Sequence, residues 1–106
     1  MGKIKRINKH KSLPFQPLKV AELIIETRKE HGEEKAIELI DATMRLFIEA
    51  ITQKHSFMQL KNAFDTIKKT INKADIKIKI EDSAFKAIVK NVNPKMYLDN
   101  YILNQN

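Results

Sequence analysis

The sequence of 106 residues has no cysteine, only two glycines and no long apolar run. Without cysteine, the chain forms no disulfide and offers no thiolate nucleophile or ligand. Its glycines, Gly2 and Gly32, cannot build the glycine-rich loop that cradles a phosphate group. The longest apolar runs, such as Leu23–Ile25, are too short to cross a membrane. No apolar segment follows the basic N-terminus, so we expect no signal peptide and a cytoplasmic protein.

The polar residues also lack the arrangements that enzymes use. His10, His31 and His55 are not spaced as metal ligands, either with one another or with an acid. The carboxylate pairs Glu33–Glu34 and Glu81–Asp82 occur where helices are predicted to begin, and negative charge there stabilises the helix dipole. We therefore predict a protein that is not an enzyme and that uses no cofactor or metal.

Positive charge is concentrated at the N-terminus. The chain has 20 basic and 13 acidic residues, a formal net charge of +7. Residues 1–16 hold five of the basic residues and none of the acidic ones, which predicts a basic, flexible arm before a single helical domain over 17–106. Such an arm suits salt-sensitive attachment to phosphates or to an acidic partner, although a solubilising tail has the same composition. The basic residues of the arm are Lys3, Lys5, Arg6, Lys9 and Lys11.

Apolar spacing and capping residues predict three helices within residues 17–73. Pro17 suits the first turn of a helix that ends at Gly32, and Ser56 suits the N-cap of a helix that reaches about Asn72. Between them, a helix over 33–54 should be central, because its apolar surface is wider than one neighbour needs. One of its two apolar faces comprises Ile37, Ile40, Met44, Phe47 and Ile51, and the other comprises Ala36, Leu39, Leu46 and Ala50.

Residues 76–80, Ile-Lys-Ile-Lys-Ile, alternate strictly between apolar and basic side chains and give the only clear strand signal. A lone strand must find partners for its backbone groups, either in the N-terminal arm or in a second chain. Asp82 or Ser83 can cap a short helix, which Asn93–Pro94 separates from a last helix. The predicted fold is therefore mainly α: a three-helix N-terminal unit followed by a single strand and two short helices over 74–106, with a strand-swapped dimer as one possibility.

The segment 75–106 resembles the ribbon-helix-helix DNA-binding family. The resemblance comes from the alternating strand, the acidic and hydroxyl residues of Glu81–Ser83, and the apolar Phe85 and Ile88 that follow them. In that family, two chains pair their strands into a ribbon that enters the major groove of DNA. The resemblance implies a homodimer, with base contacts from Lys77 and Lys79 and phosphate contacts from Asn93 and Lys95.

Two functional hypotheses follow. The first is a non-enzymatic, homodimeric DNA-binding protein, a repressor or accessory factor that reads DNA through a basic β-ribbon and uses the arm for further phosphate contacts. The second is a helical protein–protein interaction or assembly protein that binds no nucleic acid and uses the wide apolar surface of helix 33–54. The composition of the chain, rich in lysine, isoleucine and asparagine, is similar to that of small phage and mobile-element accessory proteins.

Overall fold

The structure, a computed structural model, describes residues 12–103. This part of the chain is helical and contains no β-strand. The helices are α1 (Pro17–His31), α2 (Glu33–Thr52), α3 (Phe57–Lys73), α4 (Asp82–Val92) and α5 (Pro94–Tyr97), and α5 continues into a π-helical turn over Leu98–Ile102. None of these helices is long and apolar enough to cross a membrane.

The ends of the first three helices follow from local chemistry. Pro17 occupies the first turn of α1, and Gly32, with a φ of 95°, joins α1 to α2 in a backbone conformation that favours glycine. The Oγ atom of Ser56 accepts a hydrogen bond from the Gln59 N–H (3.1 Å) and so caps α3. The predicted Ser56 cap and the predicted order of three helices are confirmed.

Phenylalanine rings connect the helices in the core. The ring of Phe47, on α2, lies 5.3 Å from that of Phe15, 5.8 Å from that of Phe64 on α3, and 6.1 Å from that of Phe85 on α4, all edge to face. Phe47, Phe64 and Phe85 are fully buried. Edge-to-face packing adds specific geometry to the burial of large apolar surfaces. This cluster therefore fixes α2, α3 and α4 against one another.

The helix α2 is central, as predicted, and contacts α1, α3 and α4. On the face that contains Ala36 and Ala50, both of these alanines are fully buried. On the other face, Phe47 is buried but Ile37 remains 42% exposed. The surface that the neighbours leave uncovered thus belongs to the face that contains Phe47.

The predicted strand over 76–80 is wrong. Lys77 has a φ of 61°, in the left-handed region, so the backbone turns where a strand would remain extended. The side chain of Asn72, at the end of α3, satisfies both backbone groups of Ile80: Nδ2 donates to the carbonyl oxygen (3.0 Å), and Oδ1 accepts from the N–H (2.8 Å). A side-chain amide thus provides at Ile80 what the prediction assigned to a second strand.

The alternation of apolar and basic residues over 76–80 nevertheless predicts correctly which side chains are buried. Ile76, Ile78 and Ile80 are buried in the core, and Lys77 and Lys79 are exposed. Because residues 12–103 contain no strand, the predicted β-ribbon and the strand-swapped dimer built on it have no basis in this fold. The correct fold class is helical, with an irregular segment between α3 and α4.

We predict that Asn72→Ala lowers the free energy of unfolding by about 1–3 kcal/mol, because it leaves two partly buried backbone groups of Ile80 without their partner. Chemical denaturation followed by circular dichroism measures the change. Asn62→Ala is the matched control, since Asn62 is exposed on the same helix and alanine there slightly favours helix formation. Equal stabilities of the two variants would contradict the role assigned to Asn72.

Candidate functional site

A groove of about 400 Å³ lies between α2 and residues 79–84, which include the end of the α3–α4 segment and the first turn of α4. Its lining contains both apolar and polar side chains, and the polar ones include positive and negative charges. Such a lining is typical of sites in which apolar contacts bind the ligand and a few polar groups orient it. The apolar lining residues are Ile40, Met44, Ile80 and Ala84, and the polar ones are Asp41, Lys79, Glu81 and Ser83.

The α2 side of the groove belongs to a longer row of apolar side chains. Ile37, Ile40, Met44 and Ile48 follow one another at steps of three, four and four residues, so they lie along one side of the helix. We call these four residues the apolar stripe. Ile40 and Met44 are half-buried, whereas Ile37 and Ile48 are 42% and 38% exposed. At a rise of 1.5 Å per residue, the stripe is about 16 Å long.

The opposite side of the groove is held in place by contacts with α3. The Asn72 amide holds Ile80, and the Nζ atom of Lys68 donates to Oδ1 of Asp82 (2.8 Å) at the first residue of α4. The hydrogen bond from Lys68 lowers the pKa of the Asp82 carboxyl below its usual value, outweighing the loss of solvent, which raises it. The positive charges of Lys68, Lys61 and Lys86 also lower it.

A larger depression of about 800 Å³ lies between α1 and α2. Leu23 and Leu39 provide its apolar lining, and the other lining residues are polar: Thr27, His31, Lys35, Glu38, Asp41 and Arg45. The smaller groove has four apolar side chains in its lining, and two of them, Ile40 and Met44, continue into the apolar stripe of α2. We therefore take the smaller groove together with the stripe as the candidate site.

The structure describes four of the nine predicted DNA-contacting residues, and three of these four make other contacts. Lys79 Nζ donates to the backbone carbonyl oxygen of Asn72 (3.0 Å), and Lys95 pairs with Asp99 (3.1 Å). Asn93 Oδ1 accepts from the Met96 N–H (3.1 Å) and caps α5. Lys77 is exposed beside Lys79 in the segment between α3 and α4. The predicted arm residues Lys3, Lys5, Arg6, Lys9 and Lys11 lie outside the described residues.

The lysines of α4 stack on tyrosines instead of extending freely. Lys86 Nζ lies 5.3 Å from the ring centre of Tyr101, and Lys90 Nζ lies 5.6 Å from that of Tyr97. Burial raises the pKa of the Tyr101 hydroxyl, and the negative charge of Asp82 adds to the shift. These contacts pack the C-terminal turns onto α4, so Tyr97 and Tyr101 have a structural role.

Charge divides the described residues into two parts. Residues 12–60 contain six basic and eight acidic residues, a net charge of −2, whereas residues 61–103 contain nine basic and five acidic residues, a net charge of +4. Within the described range, no group of three His, Asp or Glu side chains could hold a metal ion. The candidate site therefore consists of the apolar stripe, the groove beside it, and the charged residues Asp41, Lys79 and Glu81 that line the groove.

Comparisons with models of known protein families, with curated proteins and with solved structures give no match. They neither support nor oppose the resemblance to ribbon-helix-helix proteins. Any functional assignment therefore depends on the residues and contacts of this chain.

We predict that Lys68→Ala raises the pKa of Asp82 towards its usual value of 3.8, because the hydrogen bond that lowers this pKa is lost. In the native protein, the Lys68–Asp82 pair stabilises the fold above that usual pKa, and this stabilisation is lost as the pH falls through the lowered one. The pair is partly exposed, so the effect on stability should not exceed about 1 kcal/mol.

A carboxyl NMR titration of Asp82 measures the shift. Lys69→Ala is the matched control, since Lys69 is exposed on the same helix and forms no ion pair with the described residues. A pKa of Asp82 that stays low in Lys68→Ala would contradict the assigned cause.

Proposed function

We propose that the protein is a non-enzymatic helical module that binds an amphipathic helix of a protein partner along the apolar stripe and the adjoining groove. The observation that carries this proposal is the exposure of Ile37 and Ile48 at the two ends of a row whose middle residues line the groove. Single exposed apolar residues are common, but a continuous row of exposed and half-buried apolar side chains along one side of a helix is typical of a binding surface.

The spacing of the stripe supports a helical partner. Apolar residues at steps of three and four form a straight row, which packs best against a similar row on another helix. Burial of apolar surface stabilises such a complex by about 25 cal/mol per Å² before the costs of association. Asp41, Lys79 and Glu81 at the edge of the groove offer charges that can orient the bound helix.

We predict that helical peptides selected from a displayed amphipathic library will bind the wild-type chain, and that Ile37→Glu/Ile48→Glu will weaken this binding at least about tenfold. The reason is that two carboxylates would have to be desolvated in the interface. Fluorescence anisotropy with labelled peptides measures the dissociation constants.

Ala42→Glu is the matched control, because it adds a carboxylate at an exposed position of α2 outside the stripe and should bind the peptides normally. Circular dichroism of each variant verifies that the fold is retained. The proposal fails if selection yields no binding peptide, or if the stripe variant and the control bind equally well.

A second candidate function, salt-sensitive attachment to nucleic acid, is favoured by the charge distribution. The five basic residues of the arm have no acidic neighbour within residues 1–16, and the part of the chain over 61–103 is also net positive. Lysine and arginine bind phosphates by displacing counterions, and this requires no strand and no base reading. This proposal depends on the arm and not on a β-ribbon.

We predict that removing residues 1–11 lowers the affinity for a short mixed-sequence DNA duplex and reduces the slope of log affinity against log salt by up to about 4.5, since five cationic groups are lost. Anisotropy titrations at several salt concentrations measure both quantities. Lys19→Gln/Lys29→Gln is the control, because it removes exposed charge from α1 instead. A slope unchanged by the deletion would exclude the arm as the phosphate-binding element.

A further inference from the structure

We infer that the helix bound along the apolar stripe is α2 of a second copy of this chain. The two helices pack antiparallel, and the two-fold axis crosses the contact at the level of residue 43 along the helix. This inference rests on the proposed function, because it identifies the helix that binds the apolar stripe. It follows from two properties of α2: the symmetry of the stripe and the arrangement of charge beside it.

The stripe is complementary to itself when one helix is reversed. A two-fold axis near residue 43 places Ile37 of one copy beside Ile48 of the second copy at both ends of the contact, with the two Met44 side chains close to the axis. The exposed isoleucines at the ends would thus cover each other, and the flexible methionines would fill the centre. On the groove side, the small and exposed Ala84 leaves room for close approach of the copies.

The charges beside the stripe select the antiparallel orientation. Asp41 and Arg45 lie one turn apart on the same flank of the stripe, four and eight residues after Ile37. Neither forms an ion pair with another described residue. In an antiparallel pair with this axis, Asp41 of each copy faces Arg45 of the other, which gives two interchain ion pairs. In a parallel pair, the same flanks of the two copies would lie on opposite sides of the contact, so neither ion pair would form.

The length of the apolar stripe sets the expected affinity of the dimer. A stripe about 16 Å long gives a contact at the small end of specific interfaces. We therefore expect a reversible dimer with a dissociation constant in the micromolar range or weaker. At such an affinity, the monomer and the dimer exchange, and the stripe stays available to other helices at low concentration.

Sedimentation of the full chain at concentrations up to about 1 mM tests the inference through charge reversal. Asp41→Arg and Arg45→Asp should each weaken dimerisation about tenfold or more, since each brings like charges together at two symmetric positions. The double variant Asp41→Arg/Arg45→Asp restores opposite charges and should dimerise as the wild type does. Glu49→Arg, at an exposed position of α2 outside the stripe, is the control and should leave dimerisation unchanged.

The absence of cysteine from the chain allows a test of orientation by oxidative cross-linking. Met44→Cys should form a disulfide-linked dimer with itself, because both copies place residue 44 near the axis. Ile37→Cys should cross-link with Ile48→Cys in a mixture but not with itself, since antiparallel packing separates the two copies of residue 37 by about 18 Å along the helices. Self-cross-linking of Ile37→Cys together with weak cross-linking of the mixture would overturn the antiparallel arrangement.

The outcomes separate this inference from the function on which it rests. A wild-type chain that stays monomeric while selected peptides still bind the stripe overturns the second copy as partner and leaves the proposed function intact. A chain that neither dimerises nor binds any peptide overturns both. Dimerisation that is insensitive to Asp41→Arg and Arg45→Asp but lost in Ile37→Glu/Ile48→Glu retains the stripe and overturns the proposed charge pairing.

Discussion

The packing of Phe47 against three other aromatic rings determines how this molecule is arranged. The ring meets Phe15, Phe64 and Phe85, so one side chain of α2 connects the segment before α1 with α3 and α4. Burying Phe47 also fixes the rotation of α2 about its own axis. Because successive residues of a helix are 100° apart, Ile48 must then point sideways, away from the core. Ile37 lies on the same side of the helix as Ile48, so it is exposed as well. The exposed stripe is thus a consequence of the aromatic core.

Asn72 provides the second constraint. The segment between α3 and α4 brings three isoleucines into the core, and such a segment also brings backbone N–H and C=O groups that must be satisfied. The Asn72 amide satisfies both groups of Ile80, and Lys79 in turn donates to the free carbonyl oxygen of Asn72 near the end of α3. These reciprocal contacts position Ile80 and Ala84 opposite Met44, and so they form the second side of the groove.

Helical periodicity and caps were sufficient to predict α1, α2 and α3, because the signals at Pro17, Gly32 and Ser56 act within a few residues of one another. The strand prediction was wrong because alternation at Ile76–Ile80 reports which side chains are buried, not which backbone groups pair. The Asn72–Ile80 contact joins a side chain to the backbone eight residues away, and an asparagine near a helix end resembles any polar surface residue. The width of the apolar surface on α2 was visible in the sequence, but the part that stays exposed depends on where α4 packs.

The position of the stripe allows one helix to act in folding and in binding at once. Ile37 and Ile48 lie about 80–100° around α2 from Phe47, so changing them leaves the contacts between the aromatic rings in place. Ile40 and Met44, in contrast, are half-buried against the neighbouring segment and contribute to both surfaces. A partner that covers all four residues would therefore also cover the contact between α2 and the segment that Asn72 holds. Binding would stabilise that segment by mass action, since the bound state requires it to be folded.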